Sequence, residues 1–405
     1  MIVELQHSFF SPILAGQERR MHALAREFLR RGCNVTVCTS VDGVDAPQSY
    51  EGQGIRIVTH PPFFSAGRFR QLLDPVLYPR RVQEFLATRP VREAPDLVLA
   101  FNIYYAAAAK RAWPRVPVGY LSGSAIWDWY SQLYGDRKGL VRLAFLVKKV
   151  LAAIVEKRSL RLADKTFVEV KALARRLEHF HFGIASKIEV LPTPVDVARF
   201  GPSFERRQQI RSQLGIAEGV RVILCVGRLQ WNKNYGTLIR AVARLQQRNW
   251  LLLILGQGEE RRDLENLART LHVDDRTRFL GSRADMEAVY AGADIFAHPA
   301  LVEMWGNVVL EAMASKLACV VSPGEYVGIS SQLSDGVNAL LANPRDPQDW
   351  SDKIARLLAD PGLAERLGRE ARSFCERCGS WPSFVGDVLR GLGIQGPNHE
   401  SEHKG

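Results

Sequence analysis

Arg221-Val-Ile-Leu-Cys-Val-Gly-Arg-Leu-Gln-Trp-Asn-Lys233 reads as a buried strand that ends in a glycine turn bearing two cations. An unbroken apolar run of this length suits a parallel strand covered on both faces. Before it lies a polar helical stretch near 204–214. After it, strand-like runs recur at Trp250–Leu255, Thr277–Leu280 and Asp294–His298, with helical periods between them. Alternation of this kind is the signature of an α/β protein built on parallel sheets. The same alternation fills the first half, with strands expected at Ile2–Gln6, Asn34–Thr39, Asp96–Phe101, Val116–Leu121 and Lys187–Leu191, and a helix at Glu18–Arg31.

A chain of 405 residues exceeds one ordinary core. The restart at Arg221 therefore marks a second Rossmann-like domain, and the expected boundaries are 1–195 and 196–380. Pro192-Thr-Pro194 and Gly201-Pro202 stiffen the junction and make it the linker. A hinge there would leave a cleft between two lobes facing one another. Beyond Ser380 one more helix is expected within 381–394, around Ser383–Leu392, and the polar tail 395–405 reads as disordered.

Composition narrows the class. With 46% hydrophobic and 24% charged residues, the sequence is that of a soluble globular protein. The start reads directly as a strand without a secretory signal, and the apolar run Leu140–Val155 is interrupted by Arg142, Lys148 and Lys149, so a cytoplasmic location is expected. Cys33, Cys38, Cys225 and Cys319 sit in apolar runs as core thiols, and Cys375–Cys378 is a lone CxxC without a second pair to complete a zinc site. The net charge of +11 lies wholly in residues 1–200, which hold 29 Lys and Arg against 18 Asp and Glu. Such asymmetry suits an anionic partner such as a membrane surface. No nucleic-acid motif is present, so nucleic acid is not expected as a partner.

The helix expected around 140–162 carries Leu143, Val147, Val150 and Ile154 on one face and Arg142, Lys149 and Glu156 on the other. Its simplest reading is an amphipathic helix docked through the apolar face on the first sheet, with the basic side in water. A second reading sets this basic lobe, with Phe63-Phe64, Trp127 and Trp129, against anionic lipid.

Chemistry concentrates in the second half. Glu303-Met-Trp-Gly-Asn-Val-Val-Leu-Glu311 places two carboxylates across a loop-to-helix transition after a buried strand. Gly306, Asn307 and Val308 would open the helix, and the unpaired amides of a helix start form an anion site suited to a diphosphate. Glu303 then lies beside the phosphates, able to bond sugar hydroxyls or to stabilise developing positive charge. Glu311 lies inside the helix, about two turns on from Glu303. Alone, two glutamates at this spacing are ordinary surface charges. Arg228 and Lys233 add a second element, because ligands of open α/β sheets gather outside the carboxyl ends of the strands. Gly256-Gln-Gly258 allows close backbone approach at the next strand end, and Gly281 and Arg283 end the following strand, where they could border a nucleobase or form a plain turn. His298, before Pro299, reads as a packed strand-end residue.

These residues resemble retaining glycosyltransferases of family 4, with the two-domain GT-B fold. The resemblance covers nearly the whole chain and is most specific at Glu303 with Glu311, at Gly227, Arg228 and Lys233, and at the turn Asp335-Gly336-Val337-Asn338. It implies a nucleotide-diphosphate-sugar held mainly by the second domain, with Arg228 and Lys233 on the diphosphate, Glu311 on the ribose and Glu303 at the donor sugar. It also implies metal-independent transfer with retained configuration, no cofactor, and a last helix that crosses back to the first domain. The first domain matches more loosely. Ala15-Gly16-Gln17-Glu18 stands where the family commonly has a Gly-Gly pair, leaving Gly16 to approach a phosphate. Ser122 is nearest the position of an acceptor-side histidine that many relatives carry. A glycan or lipid-linked acceptor, as in cell-envelope polysaccharide or glycolipid synthesis, is expected. A nucleotide-sugar epimerase and a non-catalytic sugar-nucleotide binder are the alternatives.

Overall fold

The computed structural model describes residues 1–7, 16–40, 48–52, 54–60, 74–89, 94–123, 125 and 139–395. Ala15, Phe63-Phe64, Trp127, Trp129 and the expected tail from 396 onward lie outside the described residues, as do the side chains of Gln17, Glu18, Arg142 and Leu143. The chain divides into two compact units. One contains Met1–Thr193 together with the segment from Trp381 onward, and the other is Pro194–Ser380.

The first unit is built on β1 (Ile2–His7), β2 (Asn34–Ser40), β3 (Gln48–Gly52), β4 (Ile55–His60), β5 (Leu97–Ala100), β6 (Val118–Ser122), β7 (Lys165–Val168) and β8 (Ile188–Val190). Their order in the sheet is β3-β4-β2-β1-β5-β6-β7-β8, parallel except for the antiparallel β3–β4 pair. The helices are α1 (Gly16–Arg30), α2 (Asp74–Ala87), α3 (Ile103–Ala112), α4 (Gly139–Leu162) and α5 (Lys171–Phe180). β3, β4 and β7 go beyond the strands expected from sequence. β7 is four residues long and directly follows a long helix, so no turn signal separates it from its neighbour.

The docking face of α4 differs from the expectation. Val147, Val150 and Ile154 are exposed, whereas Ala152, Glu156, Ser159 and Leu160 are buried. α4 packs against α3, a helix whose residues Ile103–Ala109 are all buried. Glu156, expected in water, is instead paired at 2.8 Å with the Nε2 of buried His181, which caps α5. A buried carboxylate with a partner escapes most of the desolvation cost of a lone one.

The second unit contains β9 (Arg221–Val226), β10 (Trp250–Leu255), β11 (Thr277–Gly281), β12 (Ile295–His298), β13 (Ala318–Val321) and β14 (Leu340–Leu341), all parallel, in the order β11-β10-β9-β12-β13-β14. Around them lie α6 (Phe204–Gln213), α7 (Tyr235–Val242), α8 (Arg261–Thr270), α9 (Met286–Gly292), α10 (Asn307–Ala314), α11 (Pro347–Ala359) and α12 (Pro361–Arg377). β10 is buried along its whole length, and its Trp250, Leu252 and Ile254 pack with Ile223, Leu238 and Trp350 in one core. α11 and α12 each start on a proline preceded by an aspartate whose side chain accepts a helix amide, which fixes both starts.

Strand order reverses between β9 and β12, so the connections leave in opposite directions and open a crevice outside the carboxyl ends of these two strands. That reversal positions the candidate site. The final helix, α13 (Trp381–Gly391), buries Phe384, Val385, Val388 and Leu389 in the first unit's core with Val3, Leu5, Leu24 and Phe28.

Candidate functional site

After β9 the chain turns at Gly227 and passes Arg228 before a short 3-10 turn, Trp231–Lys233. Two neighbouring glycines make room for this turn. A Cβ at Gly256 would lie 1.9 Å from the Gly227 carbonyl oxygen, and one at Gly258 would lie 2.2 Å from that of Leu229. The close approach expected of Gly256-Gln-Gly258 is thus to the protein's own loop. Gln257 carbonyl accepts from the Leu229 amide at 2.9 Å and completes the fit.

The same loop is fastened to the segment that follows β12. Asn232 donates its side-chain amide to Val302 carbonyl at 3.1 Å, and its own carbonyl accepts from Leu301 amide at 2.8 Å. Asn234, left-handed at φ 57°, donates to the carbonyls of Pro299 and Pro344. This lacing sets Lys233 against Glu303: Nζ donates to Oε2 in an ion pair whose members are 14% and 21% exposed. Glu303 is held from behind, its amide donating to Tyr326 carbonyl and its carbonyl accepting from Gly328 amide.

Two further side chains face the pair. His298, at the end of β12, is fully buried with Nε2 3.4 Å from Glu303 Oε2. Tyr235, at the start of α7, is buried beneath Gly227. Burial pulls the Glu303 carboxyl upward, but the charge of Lys233, the contacts of His298 and the Lys233 hydrogen bond outweigh it and hold its pKa at about 2. Glu303 is therefore ionised at neutral pH.

Gly306 ends the loop at φ 100° and caps α10. A side chain there would need a left-handed backbone and would press on Val327 and Ile329 at 3.2 Å. The first amides of α10, at Asn307 and Val308, have no intrahelical acceptor and mark the positive end of the helix. Glu311, one turn further in, is buried, and its Oε2 accepts from Tyr290 Oη at 2.9 Å. Arg228, one residue after Gly227, is exposed.

The remaining sequence candidates are placed elsewhere or otherwise engaged. Gly281 ends the edge strand β11, two strands from β9, and its carbonyl accepts from Gly256 amide. Arg283 is committed to Asp285 through two bonds of 2.8 and 2.6 Å, which raises the arginine's pKa and lowers that of the aspartate. Asp335 and Asn338 close their turn by accepting from the amides of Leu341 and Ser334. In the first unit, Ser122 ends β6 fully buried and bonds Tyr120, and Gly16 opens α1. Among the described residues, no three His, Cys, Asp or Glu side chains converge as a metal-ligand set, all six cysteines are free, and no helix is long and apolar enough to cross a membrane.

Known proteins give the site a context. Residues 14–199 match the model of Glycosyltransferase Family 4, and residues 206–374 match that of Glycosyl transferases group 1. A D-inositol 3-phosphate glycosyltransferase of Saccharomonospora viridis is 30% identical over 88% of this chain and 84% of its own length. Another, of Nocardia farcinica, is 32% identical over 54% of this chain, which spans only half of that relative. Among solved structures, HepE of Anabaena in complex with UDP and glucose superposes with a TM-score of 0.74 at 19% identity, over 97% of this chain and 99% of that one. Sucrose-phosphate synthase of Thermosynechococcus elongatus gives 0.77 at 20% identity, over 96% and 98%. The structural likeness establishes the GT-B fold, and the sequence relationship adds the enzyme class: the chain belongs to glycosyltransferase family 4.

Proposed function

We propose that the protein transfers a sugar from a nucleotide-diphosphate-sugar, bound at the carboxyl ends of β9 and β12, with retention of configuration and without a metal. The observation that carries this reading is the convergence of Lys233, Glu303 and the start of α10 on one strand-order reversal. Arg228, Lys233 and the amides of Asn307 and Val308 would take the diphosphate, supplying the charge stabilisation that a metal supplies in other enzymes. Glu303, ionised and next to the phosphates, would face the sugar and stabilise positive charge at its anomeric carbon. Glu311 is assigned to the ribose and Gly16 to a phosphate. UDP, named in the HepE complex, is the first nucleotide to test. The relatives named above are transferases, and no observation favours an epimerase.

The acceptor is proposed to be a glycan or lipid-linked sugar on the first unit's side, near Ser122, with D-inositol 3-phosphate, the substrate in the relatives' names, as the competing candidate. We further propose a cytoplasmic location with peripheral attachment to an anionic membrane face, supported by the exposed Val147, Val150 and Ile154 on a basic helix.

The test combines binding and product analysis. In calorimetry, Arg228→Ala and Lys233→Ala are expected to lose roughly tenfold or more in affinity for UDP, GDP or ADP, whichever wild type binds, while nucleoside binding is unchanged. Transfer with the matching sugar nucleotide should persist in EDTA, and the product should keep the donor's anomeric configuration by NMR. An inverted product, or loss of transfer in EDTA restored by a divalent cation, would refute the corresponding part of the reading. A sugar that is epimerised while still attached to its nucleotide would replace it.

A further inference from the structure

We infer that His298 is a positioning residue for Glu303: a buried imidazole that takes over the carboxylate when Lys233 is drawn onto the donor's diphosphate. The inference rests on the proposed donor site and deepens it. His298 closes β12 with its ring nearly parallel to that of Phe296, the centroids 6.1 Å apart and the planes 11° from parallel, so the two rings lie side by side along the strand. It is fully buried, yet neither ring nitrogen makes a well-formed hydrogen bond. An apolar ring would fill this position without burying two polar atoms that lack a well-formed hydrogen bond, and such a placement calls for an explanation.

The explanation lies in what the ring faces. Nε2 is 3.4 Å from Glu303 Oε2, the same oxygen that Lys233 Nζ holds. Glu303 and Lys233 are the charged groups acting on the ring, the first from the loop after β12 and the second from the turn after β9. Burial, the largest influence, lowers the imidazole's pKa, so the ring is neutral and carries one N–H. A carboxylate opposite Nε2 favours the proton on that nitrogen. One oxygen thus has two potential donors, and the lysine occupies it.

A diphosphate competes for Lys233 with more negative charge than one carboxylate. Once the lysine turns to it, Glu303 is still half-buried but has lost its cation, a situation that favours a protonated or misdirected carboxyl. A small shift of Oε2 toward His298 Nε2 then makes the hydrogen bond that is long in this geometry. Glu303 stays ionised and aimed at the sugar while Lys233 serves the leaving group.

The experiment compares wild type, His298→Phe and His298→Gln, each with Glu303 and with Glu303→Gln, in saturating-donor transfer kinetics, donor calorimetry and thermal melting. Phe keeps the packing on Phe296 and removes the N–H, whereas Gln returns an N–H at similar reach. His298→Phe is expected to keep donor affinity within about threefold and to lower kcat roughly ten- to a hundredfold, the scale on which a misplaced catalytic group costs rate. His298→Gln should recover most of that loss, and in the Glu303→Gln background the Phe substitution should change kcat by less than about twofold. Wild-type kcat in His298→Phe, an equal fall in Gln and Phe, or an undiminished effect without the Glu303 charge would overturn the inference. Should the Phe variant not fold, NMR of wild type decides: saturating UDP, GDP or ADP, whichever binds, should move the His298 Nε2–H resonance downfield, and an unmoved resonance overturns the inference. Failure of wild type itself to transfer sugar would instead bring down the donor-site reading on which it rests.

Discussion

Glu303 shows how much one residue's chemistry depends on neighbours distant in sequence. Its motif was legible from spacing, as was the cationic turn ending at Lys233, but the two lie 70 residues apart and only the reversal between β9 and β12 joins them. His298 was equally hard to assign. It is the packed strand-end residue that the sequence suggested, and its approach to Glu303 depends on the path of residues 299–302, which local pattern does not reveal. The electrostatics give a prediction with a definite sign. The pKa of Glu303 is depressed from 4.5 to about 2, so its ionised form stabilises the folded state above pH ~4.5, and that contribution is lost as pH falls toward 2. In Lys233→Met the burial remains while the principal counter-charge is gone. The carboxyl should then titrate at clearly higher pH, and the wild-type stability gain on raising pH from ~2 to ~4.5 should shrink. Carboxyl carbon NMR titration and denaturant melts across this range measure both; an unmoved Glu303 titration in the variant would dismiss Lys233 as the cause.

At the scale of elements, pattern reading did best where a strand is wholly apolar. β9 and β10 begin and end at the residues read from the sequence, because a strand covered on both faces has an unbroken apolar signature. It did worst on α4, which is apolar on more than one side. The larger apolar side chains are not its buried face: among the described residues Ala152, Glu156, Ser159 and Leu160 are buried instead. The result leaves Val147, Val150 and Ile154 exposed on a helix that also bears Lys148, Lys149, Lys157 and Arg158. On this basis wild type should sediment with phosphatidylglycerol vesicles at low salt, should not do so with phosphatidylcholine alone, and should be released by salt. The double variant Val150→Glu, Ile154→Glu replaces exposed side chains, so its stability should move by no more than about 1 kcal/mol. Its vesicle binding should be abolished. Equal sedimentation of both proteins would remove this helix from any membrane contact.

The two-unit organisation of the whole molecule was foreshadowed by the restart of strand–helix alternation at Arg221, and the division at Thr193 and Pro194 falls inside the proline-rich junction. The resemblance implied a last helix that returns to the first domain, and the structure bears this out: the helix completes a core begun at Val3. α13 inserts Phe384, Val385, Val388 and Leu389 among β1 and α1 side chains, Arg31 donates to Pro382 carbonyl at 2.5 Å, and the Arg20 guanidinium lies 5.6 Å from the Phe384 ring. The second unit's core, by contrast, draws on residues from Ile223 to Leu367. A substitution in α13 should therefore be felt by the first unit and not by the second, although it is adjacent in sequence to the second. Phe384→Ala removes a fully packed aromatic ring and should cost about 3–5 kcal/mol. For a unit of this size each kcal/mol lowers the melting temperature by ~2–4 °C, so the first unit's transition should fall by about 10 °C. Calorimetry resolves the assignment if run with and without a nucleotide that binds the second unit: the transition that the nucleotide raises should stay in place in Phe384→Ala, and the other should move down. If the nucleotide-sensitive transition is the one that falls, or if both fall together by the same amount, the last helix is not acting through the first unit's core alone.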